Sequence, residues 1–149
     1  MEIKAWPLKS KYRTVKEVKY AVNHYYTDLR DFPSLTKMSM NEFFDYVKKI
    51  PYIRDVPDAE IVSRPKYLLT VFNALDCKKK AILFASFMNL KYGSGSYRFV
   101  ISSNRPDGAI GHIFTQVYNN GQWINADCTY PKNILGAKKK VTNYEIVGR

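Results

Sequence analysis

The stretch His112-Ile113-Phe114-Thr115-Gln116-Val117-Tyr118-Asn119-Asn120-Gly121-Gln122-Trp123-Ile124-Asn125-Ala126-Asp127-Cys128-Thr129 decides the fold. Asn-Gly between two runs of period two is the strongest short hairpin signal, because the turn needs positive φ at both central residues. A two-residue turn sets Asn119 against Gln122, and counting outward sets Asp127 opposite Phe114. Alternation then puts His112, Phe114, Gln116, Tyr118, Trp123, Asn125 and Asp127 on one face. Ile113, Thr115, Val117, Ile124, Ala126 and Cys128 fall on the other, mainly apolar face. His112 and Asp127 become diagonal neighbours, within reach for a carboxylate to hold an imidazole. A turn one residue longer would break that relation unless a bulge restored it.

Working outward, Tyr97 to Ser103 reads as a further strand, Asn104 to Gly108 as a loop, and Asn143 to Val147 as a short strand in a Lys-rich tail. Ahead of the break at Tyr92 to Ser96, Lys78 to Lys91 is apolar nearly all round, the mark of a buried central helix. A helix is expected from Thr14, capped by Thr14 and Glu17 and stopped by Pro33. Another runs from about Ser39 to Lys49, with the Ser39–Glu42 capping spacing, and ends at Pro51. Lys66 to Leu75 reads as a short helix, Met1 to Arg13 as an extended or irregular lead-in and Tyr52 to Pro65 as loop. Helices first and antiparallel strands second make the chain α+β, residues 1–149 forming one domain with a helical part over about 14–91 and a sheet part over about 97–149.

With 46% hydrophobic residues in 149, a core can form and intrinsic disorder is not expected. Two cysteines cannot build a disulfide scaffold, and Cys77, Cys128, His24 and His112 contain no short pair of the kind zinc sites use. No metal or cofactor is therefore expected, and His24 reads as a packing residue. Met1 to Arg13 shows no apolar signal region, and Ala81 to Leu90 is about half the roughly 20 residues a membrane span needs. A cytoplasmic protein with reduced thiols is expected. The net charge of +11 invites a polyanion, yet Lys78–Lys80 and Lys138–Lys140 are too short for a binding arm. With no recognisable nucleic-acid motif, nucleic acid is not expected as the primary partner, although the lysines and 12 tyrosines keep a polyanion binder as a minor alternative.

Chemistry concentrates at three places. Cys77 opens the buried helix, where the macrodipole favours thiolate and its own N–H can serve an oxyanion. Asp76 is a good N-cap. Lys78, Lys79 and Lys80 oppose the dipole but would add positive potential around a thiolate or favour an acidic substrate. Cys128, on the apolar strand face, reads as an inert core thiol. Either Cys77 or His112 alone reads first as structural. A cysteine at a helix start with His and Asp on one strand face points instead to nucleophilic catalysis.

Asp76-Cys77, Lys80-Ala81-Ile82-Leu83-Phe84-Ala85-Ser86-Phe87, Arg98-Phe99-Val100, Gly111-His112-Ile113-Phe114, Val117-Tyr118, Gly121-Gln122-Trp123-Ile124 and Asp127-Cys128-Thr129-Tyr130-Pro131 together resemble the transglutaminase-like domain, most of all its compact bacterial and phage-encoded members. Arg64-Pro65 with Leu68-Leu69 resembles the segment those proteins place before the cysteine, so the likeness covers about Arg64 to Pro131. It implies a papain-like fold, with Cys77 as nucleophile, His112 as general base and acid, and Asp127 orienting the imidazole. The implied activity is acyl transfer from a protein or peptide amide through a thioester, with hydrolysis favoured over transamidation. Leu75 stands where the family usually has Gly, and Lys78 and Lys79 where acidic residues often follow, departures that bear on the substrate. Asn73, Gln116 and Trp6 are candidates for a second oxyanion donor. The alternative is a catalytically silent binding or structural module, such as a component of a phage virion or mobile-element assembly, in the host cytoplasm or the virion.

Overall fold

The structure, a computed structural model, describes residues 3–7, 11–55, 59–103, 111–139 and 143–149. In chain order the elements are strand β1 (Ile3–Pro7), helix α1 (Lys11–Tyr25), a 3-10 segment (Tyr26–Asp31), α2 (Pro33–Thr36), α3 (Met40–Lys49), β2 (Ala59–Ser63), α4 (Pro65–Thr70) and α5 (Cys77–Tyr92). A 3-10 turn (Ser94–Ser96) then leads into β3 (Tyr97–Ser103), β4 (His112–Asn119), β5 (Gln122–Ala126) and β6 (Asn143–Gly148). The last four strands form an antiparallel sheet in the order β5-β4-β3-β6, and the chain is α+β.

The hairpin turns through Asn120 at φ 52 and Gly121 at φ 82, and its register runs from Asn119↔Gln122 to Thr115↔Ala126. Pairing stops there, short of the expected Thr129. The Asp127 Oδ1 accepts from the Thr129 N–H at 3.1 Å and its hydroxyl at 2.6 Å, a local turn that competes with the ladder. One sheet face buries Ile113, Thr115, Val117, Ala126 and Cys128. Its apolar members join α5 in the core, where Phe43 of α3 stacks on Phe87 at 4.2 Å and Phe44 meets Phe84 edge-on at 5.8 Å. Helix α5 is buried from Lys78 to Met88, as its all-round apolarity demands.

Several local expectations change. Helix α1 starts at Lys11, so Thr14 is a buried helical residue instead of a cap. The α-helix gives way to 3-10 at Tyr26, and Pro33 opens α2 at its first turn, where its missing N–H costs nothing. The Ser39 box forms in full, with Ser39 Oγ accepting from the Glu42 N–H at 3.1 Å and Glu42 Oε1 from the Ser39 N–H at 3.0 Å. Helix α4 ends at Thr70, well before Leu75. Strand β1, inside the lead-in expected to be extended or irregular, and β2, inside the segment expected to be loop, pair antiparallel from Ile3↔Ser63 to Pro7↔Ala59. Each supplies the other's hydrogen-bond partners, so neither is legible alone. The loop expected at Asn104 to Gly108 and the end of the second lysine run at Lys140 lie outside the described residues. No helix among the described residues is long and apolar enough to cross a membrane.

Candidate active site

The start of α5 is held from behind. Leu75 forms a parallel bridge with Tyr52, its N–H donating to Pro51 O at 2.9 Å and its carbonyl accepting from the Ile53 N–H at 3.3 Å. Asp76 caps the helix, accepting from the Lys79 N–H at 3.0 Å. Cys77 follows as the first helical residue, half-buried.

His112 opens β4, and its Nε2 lies 2.6 Å from Asp127 Oδ2. The Cys77 side chain lies close enough to the same ring to favour its charged form, and Nδ1 is the ring nitrogen that Asp127 does not engage. Asp127 is buried and fully engaged: Oδ1 by Thr129, Oδ2 by His112 and by the Lys139 ammonium, and its carbonyl by Asn133 Nδ2 at 3.1 Å. Burial alone would lower the His112 pKa, but the bond to Asp127 and the contact with Cys77 outweigh it and raise the value to about 9. Burial acts the other way on Asp127, yet His112 and Lys139 hold its carboxyl far below the ordinary range. The structure thus brings Cys77, His112 and Asp127 together from a helix start, a strand start and the turn after a strand.

Cys128 points away into the core at 2% exposure, its thiol 3.8 Å from Lys80 O, and burial pushes its pKa well up. His24 stacks on Tyr20 at 3.8 Å, remote in its contacts from the cluster.

The lysine run requires a correction. Lys78, Lys79 and Lys80 are 4%, 3% and 0% exposed, so they offer no face to an acidic substrate. Lys78 pairs with Asp55 and Asp76, and Lys79 pairs with Asp55. Lys80 Nζ donates to Ile50 O at 2.6 Å, Thr129 O at 2.7 Å and Lys48 O at 3.4 Å. A cation near the helix N-terminus is unfavourable by itself, and the buried carboxylates offset it. These side chains tie α5 to the segment after α3 and to the turn that carries Asp127.

Of the oxyanion candidates, Gln116 is committed elsewhere, its amide donating to Asn125 Oδ1 at 2.9 Å and to the Tyr144 hydroxyl while its oxygen accepts from Arg98 Nε at 2.7 Å. Asn73 is exposed in the approach to α5, and the side chain of Trp6 lies outside the description. Tyr52 and Tyr130, to which no role was assigned from sequence, wall the cluster. Tyr130 stacks with His112 at 6.3 Å and 10°, and Tyr52 meets Tyr130 at 5.0 Å. Burial, then the proximity of Cys77, raises the Tyr52 phenol to about 12, so it stays neutral. Tyr130 belongs to the Asp127–Pro131 block, whereas Tyr52 sits in a stretch without periodicity and carried no signal. Arg64 donates to Asp28 through Nε at 2.8 Å and Nη2 at 2.6 Å, fixing α4 ahead of the site.

Comparison of the chain with family models, curated proteins and solved structures found no match. Among the described residues, no group of three or more His, Cys, Asp or Glu could hold a metal ion.

Proposed function

We propose that the chain is a transglutaminase-like cysteine acyl-transfer enzyme with a papain-like arrangement of helix and sheet, acting on a protein or peptide amide. One observation carries this reading: a half-buried cysteine at the start of a buried helix contacts a histidine whose other nitrogen is held by a buried aspartate. With the proton already on His112, Cys77 Sγ attacks the amide carbonyl. The Cys77 N–H, a helix-terminal donor beyond reach of any intrahelical carbonyl, faces the developing oxyanion. Collapse of the tetrahedral adduct breaks the C–N bond, and the imidazolium returns the proton to the leaving amine. His112 then activates water against the thioester, releasing the acid and the free thiol. An amine in place of water gives transamidation, and hydrolysis is the favoured outcome.

The test is alkylation by iodoacetamide at pH 7 with the two thiols resolved by mass spectrometry. Cys77 is expected to react at least about 10²-fold faster than Cys128, the difference between a half-buried thiol at a helix start beside an imidazole and a buried one. The enhancement should vanish in His112→Ala, and amide hydrolysis in Cys77→Ala. Equal rates at the two cysteines would sink the mechanism and favour a silent binding module.

A further inference from the structure

Lys139 brings its ammonium to Asp127 Oδ2, the same oxygen that binds His112 Nε2. The ammonium also lies 4.9 Å from the ring centre of Phe114, and that ring stacks with His112 at 5.7 Å. Only 23% of the lysine side chain is exposed, so it is a fixed part of the cluster and not a loose surface charge. Such a cation has two effects. It keeps Asp127 ionised and oriented, and it draws off part of the negative charge that the imidazole feels.

A buried imidazole bound to an unshared carboxylate, with a thiolate on its other side, would be a strong base and a poor acid. General acid–base catalysis is most efficient when the pKa lies near the working pH. We propose that Lys139 is a positioning residue that tunes the basicity of His112 through their shared Asp127 oxygen, a role that rests on reading Cys77, His112 and Asp127 as one catalytic unit. Among the described residues, the other titratable or charged groups around the cluster are Cys77 and Lys80 from α5, Tyr52 from the segment after α3, Tyr130 from the turn after β5 and Tyr144 from β6 against Phe114, with the Cys128 thiol turned away into the core. Lys80 is the other cation in this set, and its ammonium is turned to three carbonyls. Among the described residues, Lys139 is therefore the cation that meets the carboxylate directly.

The experiment is an NMR titration of the imidazole C–H signals in the full chain. There are two histidines, and His24→Gln identifies the signal of His112. In Lys139→Met the His112 midpoint is expected to rise by about one unit, the size of a close charge effect, and Lys139→Arg should hold it near the wild-type value. Lys139→Gln serves as a second neutral variant, and signal dispersion reports folding in each. A purely structural lysine would lower thermal stability and leave the midpoint in place. An unmoved or lowered midpoint in the folded neutral variants overturns the proposal. Cys77→Ala tests the underlying reading separately: it should lower the midpoint, and no change there overturns the Cys77–His112 pairing whatever Lys139 does.

Discussion

His112 lies between a thiol and a carboxylate that both favour its charged form, and this sets how the cluster responds to pH. Its folded pKa is raised to about 9 from an ordinary value of about 6.5, so its contribution is fully present below about pH 6.5 and is lost as pH rises through about 9. Asp127 is shifted the other way, so its contribution is present above about pH 4 and is lost as pH falls through its lowered folded value. The pair therefore stabilises the fold most between about pH 4 and 6.5. Urea unfolding from pH 6 to 9.5 is expected to show wild type losing about 2–3 kcal/mol, and His112→Gln should flatten that slope. A slope unchanged by His112→Gln would place the titration elsewhere. At this scale the sequence located Cys77, His112 and Asp127 because strand parity and helix position are local rules. Tyr52 and Lys139 escaped because nothing in their own neighbourhoods separates them from other tyrosines and lysines.

Between elements, the ammonium of Lys80 joins the end of α3 to α5 and to the turn after β5. Thr129, whose carbonyl it binds, holds Asp127 through its N–H and hydroxyl. Lys80→Met keeps the volume but leaves buried carbonyls without a donor, at about 1–3 kcal/mol for each group stranded. A net loss of about 2–4 kcal/mol in urea unfolding is expected, together with slower alkylation of Cys77 as the Asp127 turn loosens. The Ser39 box is a smaller, separable case: Ser39→Ala should cost about 1 kcal/mol and leave Cys77 reactivity unchanged. The box and the Asn120-Gly121 hairpin were legible because their determinants lie within a few residues. The buried lysine run was not. From sequence alone, Lys78 to Lys80 look like a solvated face, and only the presence of Asp55, Asp76 and three backbone carbonyls allows them inside.

Across the molecule, α5 is the shared wall between the helices and the sheet, and Phe84 at its centre is fully buried among Phe43 and Phe44. Phe84→Ala is expected to cost about 3–5 kcal/mol. Far-UV circular dichroism and Trp123 fluorescence, followed in a Trp6→Phe background, should show one coincident transition before and after that change. Separate transitions would mean that helices and sheet unfold as independent units. The sequence by itself determined the α+β class, the hairpin register and the placing of Cys77 at a helix start and of Cys128 in the core. Each follows from a period or a turn that a short window contains. Tertiary structure alone decided the β1–β2 pairing, the burial of Lys78 to Lys80 and the attachment of Lys139 to Asp127. In each of those cases at least one needed partner is distant in sequence or presents only a backbone carbonyl, and such a partner is in place only once the chain has folded.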